Sequence, residues 1–387
     1  PTEPWHNKGR QKSSILTING RVELCRQVYW NPRRGTVIPL DAALGSERYS
    51  VGVQELCCRV GGTASFRHAA EDLARTAQLS VSAETVRQIV EARAHQVLQA
   101  QRQGHLTPAW TSADCRSDAQ SPTCLITGAD GVLVPLVTEV EKAKRRQQRR
   151  RRRKGQPPRR RLCKGSDQAY KEFKIIAFYD ADGSHQYAVG TSGDHNQAGR
   201  LMRQYGRMLA MDKAQVKYSV TDGAEWIRRQ YASQLPMLDA HVLDYYHLRE
   251  HVIVASQVLH GVGSEASVQW RKEVTGVLIE QGPLAVLDRL GDEWKTLRSA
   301  RKRRAIQELR QYIGKRVEML DYPAFRAQGY ALGSGPTESF CKTLTSRLKG
   351  SGMRWDKPHA EGLMALAAIR SSRLWQQYWT LVKTDVA

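Results

Sequence analysis

The order of strand-like and helical segments between residues 123 and 247 is the feature that most constrains the fold of this chain. Runs of β-branched and aromatic residues predict strands at 123–137, 215–222 and 241–247. The segment 172–190 predicts two further strands joined by a turn at Ala181-Asp182-Gly183. Helical spacing of apolar residues predicts helices at 197–211 and 224–234. The predicted order is therefore β-β-β-α-β-α-β.

This order predicts an α/β ribonuclease H-like catalytic core over residues 120–247, in which the first and fourth strands are neighbours. Residues 248–330 have helical periodicity throughout and predict an all-helical insertion. Residues 331–387 are predicted to complete the catalytic core. A helix that follows the turn at 333–336 carries Glu338 in this part of the chain.

The first hundred residues predict a separate DNA-binding part. Residues 1–60 predict a strand and loop region, with a strand at 14–22. Residues 61–105 contain two helical patterns with a break near 78–81, and Ser82 is placed to cap the second helix. This is the outline of a helix-turn-helix domain, although an ordinary helical hairpin has the same pattern. The basic character of the chain favours the DNA-binding alternative.

The charge of the chain favours a polyanionic partner. Among 387 residues, 60 Lys and Arg exceed 38 Asp and Glu, which gives a net charge of +22. The segment 142–164 contains 14 basic residues and no acid. Gly155 and Pro157-Pro158 predict that this segment is an exposed loop. The alternative interpretation of this segment is a flexible, disordered tether. A flexible polycation of this kind is also able to bind phosphates.

Cysteine usage and hydropathy limit the class of protein further. Seven scattered cysteines without a Cys-x-x-Cys pair predict reduced thiols, with neither a disulfide framework nor a zinc site. The longest apolar runs are much shorter than the roughly 20 residues of a membrane-spanning helix. We therefore expect a soluble cytoplasmic protein with no membrane partner.

Three acidic residues lie where a metal site is expected in such a core. Asp130 lies on the first predicted strand, Asp222 ends the fourth, and Glu338 lies on the first turn of a late helix. Carboxylates at the carboxyl edge of a sheet are suited to Mg²⁺ or Mn²⁺. Each Asp-Gly pair alone is also typical of an ordinary turn.

Four motifs together carry a resemblance to a known family. They are TDGAEWI at 221–227, DYYH at 244–247, GSGPTES at 333–339 and RLKGSGMRW at 347–355. In this order they resemble the bacterial insertion-sequence transposases of the DDE superfamily, in particular the ISKra-type group allied to the Mutator-like transposases. The resemblance extends from about residue 15 to residue 380. It includes similarity of IPLDAALG and of the helices near 66–73 and 81–90 to the DNA-binding region of the family.

The resemblance implies a catalytic site. Asp130, Asp222 and Glu338 match the metal-binding triad, which holds two Mg²⁺ or Mn²⁺ ions. Asp244 and His247 match an Asp-x-x-His element beside the triad. His247 is accordingly a candidate catalytic residue that contacts a phosphate or an acid, although a histidine satisfied at a strand end is the alternative.

The expected activity is two-metal cleavage and strand transfer at the terminal inverted repeats of the element. One expected partner is double-stranded DNA, namely the element ends and the target. The other is a second copy of this chain, in a homodimer or a larger assembly. The same residues leave two alternatives open. One is a catalytically inactive DNA-binding regulator, and the other is a ribonuclease H-like junction resolvase or nuclease.

Candidate DNA contacts come from three parts of the chain. They are Thr85 and Arg87 in the second helix of the pair, the basic run, and the last motif with the helix before it. Trp226 is a supporting candidate because Trp226 and Trp355 are able to stack on an unpaired base, although such residues are more often in the core. The basic candidates in the run and near the last motif are Arg149, Arg150, Arg151, Arg152, Arg153, Lys154, Lys342, Arg347, Lys349 and Arg354.

The N-terminal region departs from the family pattern. Family members carry a cysteine pair before the Pro-Leu-Asp segment, whereas this chain reads YWNPRRGTVIPLD at 29–41. The zinc-knuckle position is therefore degenerate, and no zinc is expected. Packing around Trp30 and Pro32 is predicted to replace it.

Overall fold

The described residues form a mixed α/β structure with two sheets. The computed structural model describes residues 4–44, 48–116, 118, 120–157, 167, 170–350 and 353–384. Residues 158–164 of the basic run and residues 351–352 of the last motif lie outside the described residues. The strands are β1 His6–Thr17, β2 Gly20–Asn31, β3 Gly35–Val37, β4 Cys124–Val134, β5 Lys171–Tyr179, β6 Gln186–Thr191, β7 Val216–Thr221 and β8 Ala240–Leu243. The helices are α1 Pro39–Leu44, α2 Val51–Gly61, α3 Phe66–Thr76, α4 Ala83–Arg102, α5 Glu139–Arg153, α6 His195–Met208, α7 Glu225–Gln234, α8 Tyr245–His260, α9 Glu265–Gln281, α10 Pro283–Thr296, α11 Ala300–Gly314, α12 Tyr322–Ala327, α13 Gly335–Lys349, α14 Lys357–Ser371 and α15 Trp375–Thr384.

The chain folds as two units that interleave along the sequence. Unit 1 comprises residues 1–107, 134–171 and 344–387, and unit 2 comprises residues 108–133 and 172–343. The C-terminal segment predicted at 331–387 is therefore divided between the units after residue 343. Its later helices, α14 and α15, belong to the same unit as the first hundred residues.

Unit 2 is built around a five-stranded sheet with the order β6-β5-β4-β7-β8. β5 and β6 pair antiparallel, whereas β4 pairs with β7 and β7 pairs with β8 in parallel. The segment from Phe173 to Tyr179 is buried at every position, as is typical of a strand covered on both faces. The predicted pairing of the first and fourth strands of this segment is confirmed by the β4–β7 ladder.

Asp244 marks the start of the helical part of unit 2. The strand predicted at 241–247 ends at Leu243, and the Asp244 carboxylate accepts hydrogen bonds from the N–H groups of Tyr246 and His247. This is an N-cap, and it begins α8 at Tyr245. The prediction of a longer strand was wrong because Tyr-Tyr-His has strand propensity, which the cap overrides. The helices expected over 248–330 are confirmed as α8 to α12.

Unit 1 contains the three-stranded antiparallel sheet β1-β2-β3 and a group of helices. The segment 14–22, predicted as one strand, instead contains the turn between β1 and β2, and these strands continue far beyond it on both sides. Ser82 caps α4 as predicted, since its hydroxyl accepts from the Thr85 N–H. α14 packs on α4, and Gly362 allows close contact with Ala94.

The basic run is a helix rather than the exposed loop that the sequence predicted. α5 covers it up to Arg153, and Gly155, with a φ of +67°, follows the end of the helix. Lys, Arg, Gln and Glu all favour helices, and the Thr138 hydroxyl accepts from the Glu141 N–H at 3.2 Å to cap the first turn. Acidic residues lie in the first turn and basic residues in the last, as the helix dipole favours. The prediction gave too much weight to Gly and Pro beyond the helix end.

Candidate functional site

A small pocket in unit 2 contains the acidic residues that the sequence singled out. Its volume is about 180 Å³, and it lies where β7 and β8 end beside β4 and the first turn of α13. In the β4–β7 ladder Thr127 pairs with Ser219, so the same register continued by three residues places Asp130 level with Asp222. The pocket is lined by Ala129, Asp130, Thr221, Asp222, Asp244, His247, Ser334, Thr337 and Glu338.

Asp130 lies within β4 and has an electrostatically unfavourable environment. Burial is the main cause that raises the pKa of this carboxyl, and the charges of Asp222 and Glu172 raise it further. The Gly131 N–H donates to Asp130 Oδ1 at 2.6 Å, and the Cys341 thiol donates to Oδ2 at 3.5 Å. These two donors stabilise the carboxylate only in part.

Asp222 is held by the tight turn that follows β7. Its Oδ1 accepts from the Ala224 N–H at 2.9 Å, and Gly223 has a φ of +70°. A Cβ at position 223 would lie 2.6 Å from Leu243 Cδ1 and 3.0 Å from Arg316 Nε. Both the conformation and the close packing require glycine here, so the turn fixes the direction of Asp222.

Asp244 joins the start of α8 to the loop before α13. It is 2% exposed, and its Oδ2 accepts from the Ser334 N–H at 2.6 Å and from the Ser334 hydroxyl. Its other oxygen caps α8, so all of these hydrogen bonds maintain structure. Asp244 therefore positions the loop from which α13 begins.

Glu338 is exposed on the first turn of α13, and a close contact with β4 fixes this turn. A Cβ at Gly128 would lie only 1.9 Å from Thr337 Oγ1, so the absence of a side chain at 128 allows the helix to approach the strand. Two contacts fix the position of Glu338. Its neighbour Thr337 contacts β4, and the Glu338 N–H donates a hydrogen bond to the Ser334 carbonyl.

His247 lies on the first turn of α8 and not at a strand end. Its Nδ1 is 3.9 Å from Glu250 Oε2, and its ring packs edge-on against His251. His251 stacks on Tyr312 with ring centres 3.7 Å apart. His247 therefore lines the pocket at the edge of an aromatic group.

The three predicted carboxylates have the donor chemistry of a divalent-metal site. Among the residues that the structure describes, no Lys or Arg forms an ion pair with Asp130, Asp222 or Glu338. Their oxygens do not all approach within 4.8 Å of one another. Clustered carboxylates repel one another, so bound cations are a natural compensation for their charge.

Further residues beside the pocket were missed by sequence reasoning. Glu172, at the start of β5, lies against Gly131, and it pairs with Lys174, whose ammonium lies 4.9 Å from the ring centre of Trp226. The supporting candidate Trp226 is half-buried, and the Lys174 ammonium lies over its ring. Arg316 and Tyr312 come from the helical region, where no motif distinguishes them.

Arg316 is a basic side chain close to the Asp222 turn. Its guanidinium lies 4.1 Å from the ring centre of Tyr312, and its buried Nε has no hydrogen-bond partner among the described residues. Burial raises the pKa of Tyr312 to about 12, and the charges of Asp222 and Asp244 add to the rise. Among the described residues, no acidic side chain forms an ion pair with Arg316.

The α3–α4 pair in unit 1 contains the first two predicted DNA contacts. Thr85 lies in the first turn of α4, where its hydroxyl is 2.9 Å from that of Ser82. Arg87 forms ion pairs with Glu84 and Glu91, so its charge is already neutralised within the helix. Arg87 is therefore a weaker candidate for a phosphate contact than the sequence predicted.

The basic helix α5 has one face that packs in unit 1 and one that is exposed. Arg145 is buried and pairs with Glu141 at 2.7 Å, and Lys142 pairs with Asp356. Burial, followed by the charges of Arg145 and Arg149, lowers the pKa of Arg354, so Arg354 lies near this helix. We call the following exposed residues the basic surface: Arg146, Arg149, Arg150, Arg152, Arg153, Lys154 and Arg354. Arg151 is half-buried, and its Nε donates to the Pro157 carbonyl at 3.0 Å.

Arg347 is buried, whereas a side chain that contacts a DNA phosphate is exposed. Its guanidinium lies between the rings of Phe66 and Trp355, 5.0 and 5.1 Å from their centres, and its Nε donates to the Gly61 carbonyl at 3.3 Å. Burial lowers its pKa. Arg347 and the buried Trp355 thus form part of the packing of unit 1. Lys342 and Lys349 are exposed on α13.

The segment that the resemblance marks as a degenerate zinc-knuckle position contains the turn between β2 and β3. Asn31 Oδ1 accepts from the N–H groups of Arg33 and Arg34 at 2.9 and 3.0 Å. Trp30 is 36% exposed and contacts His6 and Lys8. A hydrogen-bonded turn therefore occupies this position.

Comparison with known proteins found no match to any family model and no similar curated protein. Among the described residues, none of the helices has the length and apolar character needed to span a membrane.

Proposed function

We propose that this chain is a DNA transposase that cleaves and joins DNA strands at the terminal inverted repeats of its own element. One observation carries the proposal: Asp130 on β4, Asp222 after the adjacent parallel strand β7, and Glu338 on the α13 turn that packs against β4 line one pocket. The sheet order supports a ribonuclease H-like core for this chemistry.

Asp130, Asp222 and Glu338 would hold two Mg²⁺ or Mn²⁺ ions. When bound, such ions activate the attacking hydroxyl and stabilise the leaving oxygen of a phosphodiester. Their charge also offsets the effects of burial and of the neighbouring Asp222 charge, which raise the pKa of Asp130. Asp244 keeps α13 in place for Glu338, and Arg316 is suited to orient a phosphate beside the Asp222 turn.

The basic surface supports the choice of DNA as substrate. Its residues on α5 are exposed, and none of them forms an ion pair with an acidic side chain within the described part of the chain. Arg149 of this surface is near enough to the first turn of α4 for its charge to be among the causes that lower the pKa of Glu84, after the hydrogen bond from Arg87. Such a surface binds phosphates without reading sequence, and α4 is then the element suited to enter a groove. For a chain that resembles bacterial transposases, a DNA substrate would place the protein in the cytoplasm, in association with the nucleoid.

Strand cleavage on DNA that carries the flanking ends of the gene tests the proposal. With Mg²⁺ or Mn²⁺, we expect the wild type to cut at the element boundary and to join the cut end to a target. Asp130→Asn, Asp222→Asn and Glu338→Gln should bind the same DNA but cut more than about 100-fold more slowly, since even indirect partners of a metal contribute roughly 10–100-fold.

Asp292→Asn is the matched control, because Asp292 is an exposed carboxylate on α10 that pairs only with Lys295 among the described residues. It should cut at the wild-type rate. A wild type that binds the ends and never cuts with either metal would favour the inactive regulator. Cleavage of branched DNA without joining would favour a junction resolvase.

A further inference from the structure

A second group of candidate metal ligands lies in unit 2, outside the acidic pocket. Cys115, Asp180 and His185 each offer a ligand atom, and these atoms all lie within 4.8 Å of one another. No other group of three or more such residues meets this spacing within the part of the chain that the structure describes. Cys115 and Asp180 are 1% and 5% exposed, so the group is largely shielded from water.

Hydrogen bonds of the backbone hold the three residues in place. Asp180 and His185 flank the turn between β5 and β6, where the Asp180 N–H donates to the His185 carbonyl at 3.1 Å. The His185 N–H donates back to the Asp180 carboxylate at 3.0 Å. Cys115 follows a short helical turn at Ser112, whose N–H donates to the Leu209 carbonyl at 2.8 Å. The donors are therefore preorganised by two separate parts of the fold.

A second thiol lies near this group, outside the set of ligand atoms that share the 4.8 Å spacing. The Cys124 N–H donates to the Cys115 carbonyl at 2.8 Å, which places Cys124 at the first residue of β4 beside Cys115. Burial, followed by the charge of Asp180, raises the pKa of both thiols, to about 12 for Cys115 and about 11 for Cys124. Both thiols are thus close enough to the Asp180 carboxylate to respond to its charge.

The charge balance of the group calls for a cation. Among the described residues, the buried Asp180 forms an ion pair with His185 alone, at 2.7 Å from Nδ1, and with no Lys or Arg. A buried carboxylate needs a compensating positive charge. A divalent ion would supply this charge, and the Cys115 thiol, which donates to the Thr111 carbonyl at 3.5 Å, lies within reach of the same ion.

We propose that Cys115, Asp180 and His185 bind one Zn²⁺ ion. Sulfur and imidazole ligands select Zn²⁺ over Mg²⁺ or Mn²⁺. The Trp110 ring lies 5.4 Å from that of His185. On binding, the Cys115 thiol releases its proton to solvent, and a sulfur–zinc bond replaces the S–H bond.

This site is separate from the acidic pocket. Asp130 lies six residues beyond Cys124 on β4, about 20 Å at the rise of a strand. The ion would join the segment before β4 to the β5–β6 turn, and it would support the sheet from the end opposite the pocket. The proposal therefore stands or fails independently of the proposed transposase activity.

Cobalt substitution of the full chain tests the proposal. Protein stripped with a chelator is titrated with Co²⁺, and we expect one equivalent to produce a thiolate-to-cobalt charge-transfer band in the near ultraviolet. Zn²⁺ should displace it stoichiometrically. Cys115→Ser should abolish the band, and His185→Asn should weaken Co²⁺ binding at least about tenfold.

Two cysteine variants are matched controls. Cys25→Ser removes an exposed thiol of β2, and Cys341→Ser removes the thiol that contacts Asp130. Both should keep the band. A band that persists in Cys115→Ser, or that disappears in Cys341→Ser, would overturn the proposal.

X-ray absorption at the zinc edge of the wild type decides the question even if the variants fail to fold. We expect sulfur scatterers at about 2.3 Å together with nitrogen or oxygen scatterers at about 2.0 to 2.1 Å. Only nitrogen and oxygen scatterers, or no zinc retained after dialysis, would overturn the proposal.

Discussion

Gly128 shows how a single missing side chain shapes the acidic pocket. It lies where β4 and the first turn of α13 approach each other closely, because Thr337 Oγ1 occupies the space of a Cβ. Thr337 directly precedes Glu338, so any shift of this turn also moves a proposed metal ligand. The position of Glu338 therefore depends on a residue that performs no chemistry.

We expect Gly128→Ala to reduce both stability and cleavage. The added methyl group overlaps Thr337 and should cost about 1–3 kcal/mol of the free energy of unfolding. Urea unfolding and single-turnover cleavage measure the two effects, and Thr337→Ala in the same chain should restore part of both.

Gly276→Ala is the control for this prediction. Gly276 lies in α9, and a Cβ there would meet no atom within 4 Å. This variant should be as active as the wild type and more stable by about 0.5–1 kcal/mol, because alanine favours a helix interior. Equal loss of activity in Gly128→Ala and Gly276→Ala would contradict the account.

Most residues of the basic surface lie on a single helix, α5. Changing four of its residues on α5 to Gln should reduce the magnitude of the slope of log K against log salt concentration, by about 0.9 for each phosphate that the variant no longer neutralises. The four residues are Arg149, Arg150, Arg152 and Arg153. Fluorescence anisotropy with end DNA at several salt concentrations measures the slope.

A charge-matched variant of the helical region separates this effect from net charge. It replaces four residues by Gln in α9 to α11, namely Lys272, Lys295, Arg301 and Arg304. We expect a smaller change of slope for this variant. The same change in both variants would show that α5 contributes only general charge.

The start of α14 gives a prediction about pH. His359 Nδ1 is 2.6 Å from Asp356 Oδ1, and the hydrogen bond to Asp356, together with the charge of Glu91, raises the pKa of His359. A raised pKa means that the folded state binds the proton more tightly, so this stabilisation is complete below about pH 6.5 and is lost as pH rises through the raised pKa.

We therefore expect the wild-type Tm to fall between pH 6 and pH 9 by more than that of His359→Gln. The difference should be modest because the imidazole is 37% exposed. His68→Gln, which changes an exposed histidine of α3, should retain the wild-type dependence on pH. Parallel curves for the wild type and His359→Gln would rule out this linkage.

The strands and helices of unit 2 could largely be predicted from the sequence, because their signals are local. The buried run in β5, the alternation of strands and helices, and the helical periodicity after residue 248 each lie within one segment. α5 and the end of β8 could not be predicted as well. In α5 the helix propensity of a charged run outweighed the Gly and Pro that follow it, and at β8 the cap at Asp244 outweighed strand propensity.

The acidic pocket could likewise be predicted from the sequence only in part. Asp130, Asp222 and Glu338 could be singled out because strand ends and motifs mark them. Glu172 and Arg316 have no such mark, and only the packing of β5 against β4 and of the helical region against the Asp222 turn brings them near. The Cys115 group escaped detection because its residues come from two distant parts of the sequence without a short spacing motif.

At the scale of the whole molecule, unit 1 depends on both ends of the chain. α4 packs on α14, and Arg102 pairs with Glu361 at 3.0 Å. Leu363, Met364 and Leu366 of α14 are all buried. The first hundred residues therefore lack part of their core until the C-terminal segment has joined them.

We predict that residues 1–107 alone do not fold cooperatively. Without α14, the buried face of α4 is exposed to water, and a fragment of this size has little core to compensate. Circular dichroism on heating should show a broad, non-cooperative change for the fragment and a sharp transition for the full chain. A sharp transition of the isolated fragment would show that it is an independent domain.

The central claim, that three carboxylates form a two-metal centre for DNA, is tested most directly by counting bound Mn²⁺. Electron paramagnetic resonance of the full chain with its end DNA should show about two bound ions per chain. The count should drop by at least one in Asp222→Asn and in Glu338→Gln, and it should stay at the wild-type value in Asp292→Asn. The same number of bound ions in all four proteins would contradict the claim.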